Sequence, residues 1–214
     1  MSGLAVEAVT LAVGGRTLVR ELSFRVADGA ALSILGPSGS GKSALLAFVG
    51  GHLERAFAAS GRVWLGAREV TGLAPERRGI GLMFQDDLLF PHFSVGDNVA
   101  FGLDPALRGR AARGKAVDAA LREAGLVGFA RRDPATLSGG QRARVALMRS
   151  LVAAPKALLL DEPFGKLDAP LRRDLRAFVF DHARRRALPV VLVTHDPADA
   201  EAAGGEILQL GTPP

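Results

Sequence analysis

The sequence predicts an α/β fold built around a mainly parallel sheet, and two observations carry that expectation. Four short apolar runs, ALSIL (31–35), IGLMF (80–84), ALLL (157–160) and VVLV (190–193), are continuous rather than alternating, as strands buried on both faces are. Segments of helical spacing lie between them. Val117, Ala120, Leu121 and Ala124 fall at i, i+3, i+4 and i+7, and Leu171, Leu175, Phe178, Val179 and His182 mark a second apolar face. Strands that alternate with helices close into parallel sheets.

The first third of the chain reads differently. LAVEAVTLAV, TLVRELSFRV and GRVWLGAREV alternate in hydropathy and are joined by glycine turns, which predicts an antiparallel β flank. Residues from about 87 to 136 carry helix signals and no strand signal, so they read as a helical subdomain inserted into one domain spanning 1–214. No internal repeat or low-complexity linker interrupts the chain.

Composition narrows the function. A chain of 214 residues can bury one substantial core. The absence of cysteine excludes disulfides, thiolate metal sites and cysteine nucleophiles, and fits a cytoplasmic setting. No apolar run is long enough to span a bilayer, and MSGLAVEAVTLAV lacks the basic and apolar pattern of a secretory signal. The net charge of +5 comes mainly from scattered arginines, including Arg172, Arg173 and Arg184 to Arg186 on helix-like segments. That distribution reads as a solvated surface rather than a nucleic-acid patch.

The residues directly after each buried strand matter most. ALSIL runs into Gly36, IGLMF into Gln85, ALLL into Asp161 and Glu162, and VVLV into Thr194 and His195. Open α/β sheets bind ligands at the carboxyl ends of their strands. These four junctions are therefore expected to share one active edge.

Gly36-Pro37-Ser38-Gly39-Ser40-Gly41-Lys42-Ser43 matches the phosphate-loop pattern, with a strand before it and a helix after it. Glycines allow backbone amides to wrap phosphate oxygens, and the helix N-terminus adds positive potential. Lys42 would reach the β- and γ-phosphates, while the Ser43 hydroxyl would coordinate Mg²⁺. Asp161 stands where phosphate-loop enzymes place a Mg²⁺-holding carboxylate. Glu162 would point elsewhere, toward a water attacking the γ-phosphate. Gln85 can ligate Mg²⁺ or orient that water, and His195 can hydrogen-bond a γ-phosphate. Taken alone, DEP, Gln85 and His195 would each pass for ordinary loop residues; the phosphate loop gives them meaning.

A second glycine pair lies in TLSGGQRARVAL (136–147). Leu137 is expected to be buried and Ser138 to cap the next helix. Gly139 and Gly140 bare their amides, which makes this helix start a second anion site.

GPSGSGKS, Gln85, LSGGQ, LLLDEP and His195, in this order, resemble the nucleotide-binding subunit of ATP-binding-cassette (ABC) transporters, a P-loop NTPase of RecA-like fold. The resemblance spans nearly the whole chain. FQDDLLFPHFSVGDNVAFGL and LSGGQRARVALMRSL look most like bacterial import cassettes of the thiamine, iron and sulfate group, and within it like an uncharacterised member. The resemblance implies an ATPase whose two copies join head to tail. Each ATP would lie between one phosphate loop, Gly36 to Ser43, and the other chain's Ser138, Gly139, Gly140 and Gln141, with Asp168 also at the contact. It implies Mg²⁺ held by Ser43, Gln85 and Asp161, with Glu162 as general base, His195 as γ-phosphate switch and Gln85 as sensor. Its partners would be integral membrane permease subunits docking near Gln85 and Leu88 to Phe93, with a solute-binding protein and without nucleic acid. Its place would be the cytoplasmic face of the inner membrane, as a peripheral subunit.

Three departures stand out. The family's adenine-stacking aromatic falls at Val13, in a chain without tyrosine. The loop FGKLD carries Gly165 and Lys166 where small or hydroxyl residues are common. EILQLGTPP closes the sequence without the C-terminal regulatory domain of sugar-import cassettes or a final hairpin. Rival readings are an export or membrane-extraction cassette, a soluble ABC ATPase acting on nucleic acid or ribosomes, and a small-molecule kinase. The last would not need LSGGQ. DNA-repair members carry long coiled-coil insertions and translation factors two cassettes, neither of which occurs here. The transported substrate is not written in the cassette, and transport direction is set mainly by the membrane partner.

Overall fold

A computed structural model describes residues 2–211. The chain divides into two compact units, one formed by 1–82, 156–162 and 180–214, the other by 83–155 and 163–179.

The first unit holds both sheets. Strands β1 (Leu4–Val13), β2 (Arg16–Val26), β4 (Phe57–Leu65) and β5 (Arg68–Glu69) form the antiparallel sheet in the order β2-β1-β4-β5. Bulges near Val9 shift its register, and Ala8 and Glu21 take positive φ there. GRVWLGAREV (61–70) has the pattern of a single third strand. Instead, β4 begins at Phe57, and the glycine turn at Gly66 separates it from the two-residue β5.

The second sheet contains β3 (Ala31–Leu35), β6 (Ile80–Met83), β7 (Ala157–Asp161), β8 (Val190–Val193) and β9 (Glu206–Gln209), ordered β6-β7-β8-β3-β9. The pairs β3–β8, β7–β8 and β3–β9 are parallel. The four apolar runs are thus strands. The fifth, β9, lies at the edge of the sheet and was not expected, because EILQ is mostly exposed. The last three residues of EILQLGTPP lie outside the described residues. Helix α1 (Lys42–Gly50) follows β3 and packs Leu45, Leu46 and Val49 into a core shared with Ile34, Leu159 and Val193. A short helix, α2 (Pro75–Arg78), precedes β6. Its Arg78 is buried and donates to the carbonyls of Phe48, Val49 and Leu73 at 2.8–2.9 Å, and to that of Thr71. It closes the carboxyl end of α1, where a cation also complements the helix dipole.

The second unit contains α3 (Val95–Phe101), α4 (Arg110–Glu123), α5 (Gly139–Leu151) and the first part of α6 (Ala169–Arg185). It contains the 87–136 segment expected to be helical. Val117, Ala120, Leu121 and Ala124 are buried, as their spacing requires. A last helix, α7 (Pro197–Ala203), follows β8 in the first unit. Among the described residues no helix is long and apolar enough to cross a membrane.

Candidate active site

In the first unit the ends of β3, β7 and β8 bring three of the four expected junctions together. Between β3 and α1 the chain makes the phosphate loop. Its last loop residue, Gly41, sits at φ 93°, and a Cβ there would come within 3.0–3.1 Å of the Leu18 and Val19 side chains. Only glycine fits. No side chain caps α1, so its first amides are left to a ligand, as an anion site needs. Lys42 is buried (6% exposed), and its Nζ donates to the Gly36 and Pro37 carbonyls at 2.7 and 2.8 Å. These contacts tether the ammonium within the loop. Ser40 is fully buried beneath it, while Pro37, Ser38 and Gly39 are exposed.

Ser43 Oγ donates to Asp161 Oδ1 at 3.1 Å across a chain separation of 118 residues. Burial holds the Asp161 carboxyl above its ordinary value; the Ser43 hydrogen bond opposes this, and the adjacent Glu162 charge adds to it. A cation placed here would relieve that cost. The hydroxyl and carboxylate are hard oxygen donors, the set that fits Mg²⁺ held by few protein ligands plus phosphate. Among the described residues no three His, Asp or Glu side chains gather into an all-protein cage.

Glu162 takes φ 45°, a left-handed conformation that costs a non-glycine residue about 1–3 kcal/mol. Its amide donates to the Val193 carbonyl at 2.9 Å, which anchors the turn. The side chain reaches His195, with Glu162 Oε2 lying 3.2 Å from His195 Nδ1. His195 is exposed, but the residue before it is not. Thr194 Oγ1 donates to Asp199 Oδ2 at 2.6 Å and accepts from the Asp196 amide at 3.0 Å, which fixes the loop that carries the imidazole. Asp199 was not singled out from sequence, because THDPADAE reads as an ordinary polar helix start.

A cavity of about 340 Å³ opens beside the phosphate loop, lined by Ser38, Gly39, Lys42, Ser43 and Glu162 and also by Leu18 and Phe57. Val13, the expected base-stacking position, is not on its lining.

The second unit carries the remaining expected residues. Gln85 lies in a bend after β6 and is exposed. It borders a cavity of about 490 Å³ with Asp86, Arg142 and Lys166. Lys166 pairs with Asp86. Arg142 Nε meets Asp87 Oδ2 at 3.3 Å, and burial raises the Asp87 carboxyl against that neighbour's pull. At the start of α5, Ser138 Oγ accepts from the Gln141 amide at 3.3 Å and Gln141 Oε1 accepts from the Ser138 amide at 3.0 Å, a complete capping box. Leu137 is buried, as expected. Gly139 and Gly140 are the first two residues of α5, and a Cβ on Gly140 would lie 3.2 Å from Leu171. Asp168 Oδ1 accepts from the Leu171 amide at 3.0 Å at the start of α6. The side chains of Gln141 and Asp168 are thus engaged in helix caps.

A phosphate loop on a parallel sheet, a hydroxyl–carboxylate pair and a carboxylate–imidazole pair define a nucleoside-triphosphate-hydrolysing domain. The model of the family described as "ABC transporter" matches residues 19–165. The chain is 48% identical over 199 residues to the uncharacterized ABC transporter ATP-binding protein YnjD of Escherichia coli K12, covering 93% of this chain and 91% of that one. It is 42% identical over 218 residues to the sulfate/thiosulfate import ATP-binding protein CysA of Mycobacterium tuberculosis H37Rv, covering 98% of this chain but 61% of that protein. Among solved structures, the ATP-binding cassette MJ0796, a dimer in a post-hydrolysis state bound to ADP and Pi, superposes with a TM-score of 0.82 at 28% identity, over 98% of this chain and 96% of that one. The chain belongs to the ABC transporter family: it is an ATP-binding subunit and an ATPase.

Proposed function

We propose that the chain drives solute import. On this reading, ATP is hydrolysed at a head-to-tail dimer interface, and the resulting motion passes to integral membrane permease subunits on the cytoplasmic face of the inner membrane. The likeness to a sulfate/thiosulfate import protein over 98% of the chain supports the direction. A solute-binding protein is the expected further partner. The observation that carries the hydrolytic part is the Glu162–His195 contact of 3.2 Å beside the Ser43–Asp161 pair.

The residues divide the work by chemistry. The amides of Gly39 to Ser43 and the Lys42 ammonium hold the β- and γ-phosphates. Ser43 and Asp161 would hold Mg²⁺, with Gln85 as a further ligand; the ion, when bound, neutralises charge on the γ-phosphate. Glu162 accepts a proton from water as the water oxygen bonds to the γ-phosphorus and the bond to the β,γ-bridging oxygen breaks, leaving ADP and phosphate. His195 keeps the Glu162 carboxylate in place and faces the γ-phosphate. Ser138, Gly139 and Gly140 of one copy would meet the γ-phosphate of the other, with Asp168 and Gln141 shaping that contact. Gln85 and the stretch Leu88 to Phe93 would report to the permease.

The test is a pull-down from detergent-solubilised membranes of the native host, using tagged Glu162→Gln protein with MgATP and mass spectrometry. The substitution keeps the side-chain shape but cannot take the proton, so the ATP-bound dimer is expected to accumulate with its partners. Recovery of a multi-spanning permease with importer-type relatives supports the proposal. Recovery of an exporter permease reverses the direction, and recovery of soluble or ribosomal partners alone removes the transport role while leaving the ATPase.

A further inference from the structure

We propose that Phe57, together with Leu18, forms the surface on which the purine base of the nucleotide stacks, in place of an aromatic residue at Val13. The proposal rests on ATP binding at the phosphate loop and adds the residue that receives the base. In the antiparallel pair β1–β4, Phe57 is directly opposite Val13. Residues directly opposite in such a pair project their side chains from the same face of the sheet. The ring missing at Val13 is therefore supplied on the same face, one strand over.

Three further observations converge on Phe57. The cavity that contains Gly41, Lys42 and Ser43 is also lined by Leu18 and Phe57. Its lining combines the Lys42 ammonium, the Ser43 hydroxyl and the Glu162 carboxylate with the apolar side chains of Leu18, Ala44 and Phe57. A ligand with both a phosphate chain and an uncharged planar ring suits such a mixed lining, whereas phosphate alone would leave its apolar residues without a role. Phe57 is also only half-buried and stands outside the core cluster, against which Leu18 packs. The ring therefore keeps exposed surface on the cavity that the phosphate loop lines. Finally, its backbone is fixed: the Phe57 amide donates to the Glu54 carbonyl at 3.1 Å, and β4 starts at this residue. Stacking on a phenyl ring is tolerant of base identity, so ATP and GTP should bind within a few-fold of one another.

Equilibrium binding of MgATP, MgGTP and magnesium tripolyphosphate to the wild type and to Phe57→Ala, Phe57→Leu, Phe57→Trp and Val13→Ala tests this. Tripolyphosphate carries the phosphate chain without a base. Phe57→Ala should weaken both nucleotides about tenfold or more while leaving tripolyphosphate within about twofold. Phe57→Leu, which keeps apolar bulk, should show the same pattern even if the alanine variant folds poorly, and Phe57→Trp should restore nucleotide affinity. Val13→Ala should change little. The assignment is overturned if the Phe57 variants weaken all three ligands alike or none of them, or if Val13→Ala has the larger effect. A wild type that binds tripolyphosphate as tightly as ATP also overturns it, with the phosphate loop intact. A wild type that binds none of the three removes nucleotide binding itself.

Discussion

Helix α1 starts from a left-handed glycine with no side-chain cap, whereas α5 starts inside a complete capping box. Both loops are glycine-rich and both precede helices, yet they satisfy their helix ends in opposite ways. The phosphate loop leaves its first amides to a ligand and is held from elsewhere, by the Lys42 contacts to Gly36 and Pro37 and by Arg78 at the far end of α1. The second loop satisfies itself: Ser138 and Gln141 consume two donors reciprocally, leaving the amides of Gly139 and Gly140 for a visitor. A loop that wraps its own ligand can stay uncapped. A loop that must keep its shape before meeting another chain's nucleotide needs an internal cap, and the head-to-tail proposal requires that of LSGGQ.

The largest effect that can break this comparison is catalytic. Lys42→Ala should lower phosphate release by about 100-fold or more, the size expected when a preorganised charge facing a transferring phosphoryl group is removed. Ser138→Arg, which fills the second loop with a bulky cation, should do comparable damage. Mixing the two inactive proteins in equal amounts is the sharper measurement. In a two-fold dimer, half the pairs are then mixed, and each mixed pair has one site with both loops intact, so turnover should return to about a quarter of wild type. No recovery would mean that both loops serve the same nucleotide within one chain.

Arg78 comes next, because it substitutes at the end of α1 for what the capping box does at the start of α5. Arg78→Ala removes donors from four carbonyls in a buried setting and should cost about 2–4 kcal/mol of stability. A denaturant titration would read this as a lower midpoint with an unchanged slope. A loss below about 1 kcal/mol would show that α1 is held by its apolar face alone. Ser138→Ala should cost less, about 1 kcal/mol, the usual worth of a helix N-cap. It should leave ATP affinity of the single chain unchanged while reducing turnover. Equal losses in both would contradict the division of labour between the loops.

The same contrast explains what could be read from sequence. The strands ALSIL, ALLL and VVLV were legible because burial on both faces leaves continuous apolar runs, and each ends within one residue of its expected limit. The phosphate loop and LSGGQ stand out in the sequence because glycines at fixed spacing from lysine or serine mark backbone able to approach a phosphate. The Ser43–Asp161 and Glu162–His195 contacts follow from strand order once the sheet is parallel. Strand β9 was hidden because an edge strand can be polar and exposed, and Ile207 is 56% exposed. Arg78 was hidden among the charged residues of PERRG, where nothing local marks it as buried. Phe57 was hidden because its role depends on pairing with Val13 across the sheet, a register set by the bulges in β1.

The smallest expected effect lies at the loop that the head-to-tail proposal assigns to the other chain's nucleotide. Burial raises the Asp87 carboxyl above its ordinary value, and the Arg142 hydrogen bond pulls it back. A raised carboxyl binds its proton more tightly in the folded than in the unfolded chain. Its contribution to stability therefore falls as pH rises from the ordinary carboxylate range through the raised value. Arg142→Ala removes the opposing pull, pushes Asp87 further up and widens that window. The variant should lose more stability at pH 7 than near pH 4, because the lost attraction acts only on the ionised carboxylate. Because Arg142 is 41% and Asp87 23% exposed, solvent screening limits the difference to about 0.5 kcal/mol. The Arg142 contact to the Leu137 carbonyl at 2.8 Å is lost at both pH values, so it cancels. Melting curves of wild type, Arg142→Ala and the double variant with Asp87→Asn would isolate the pair, since the neutral amide should erase the pH dependence. Equal losses at both pH values would mean that Arg142 steadies the LSGGQ loop through Leu137 alone, and that Asp87 is not part of its support.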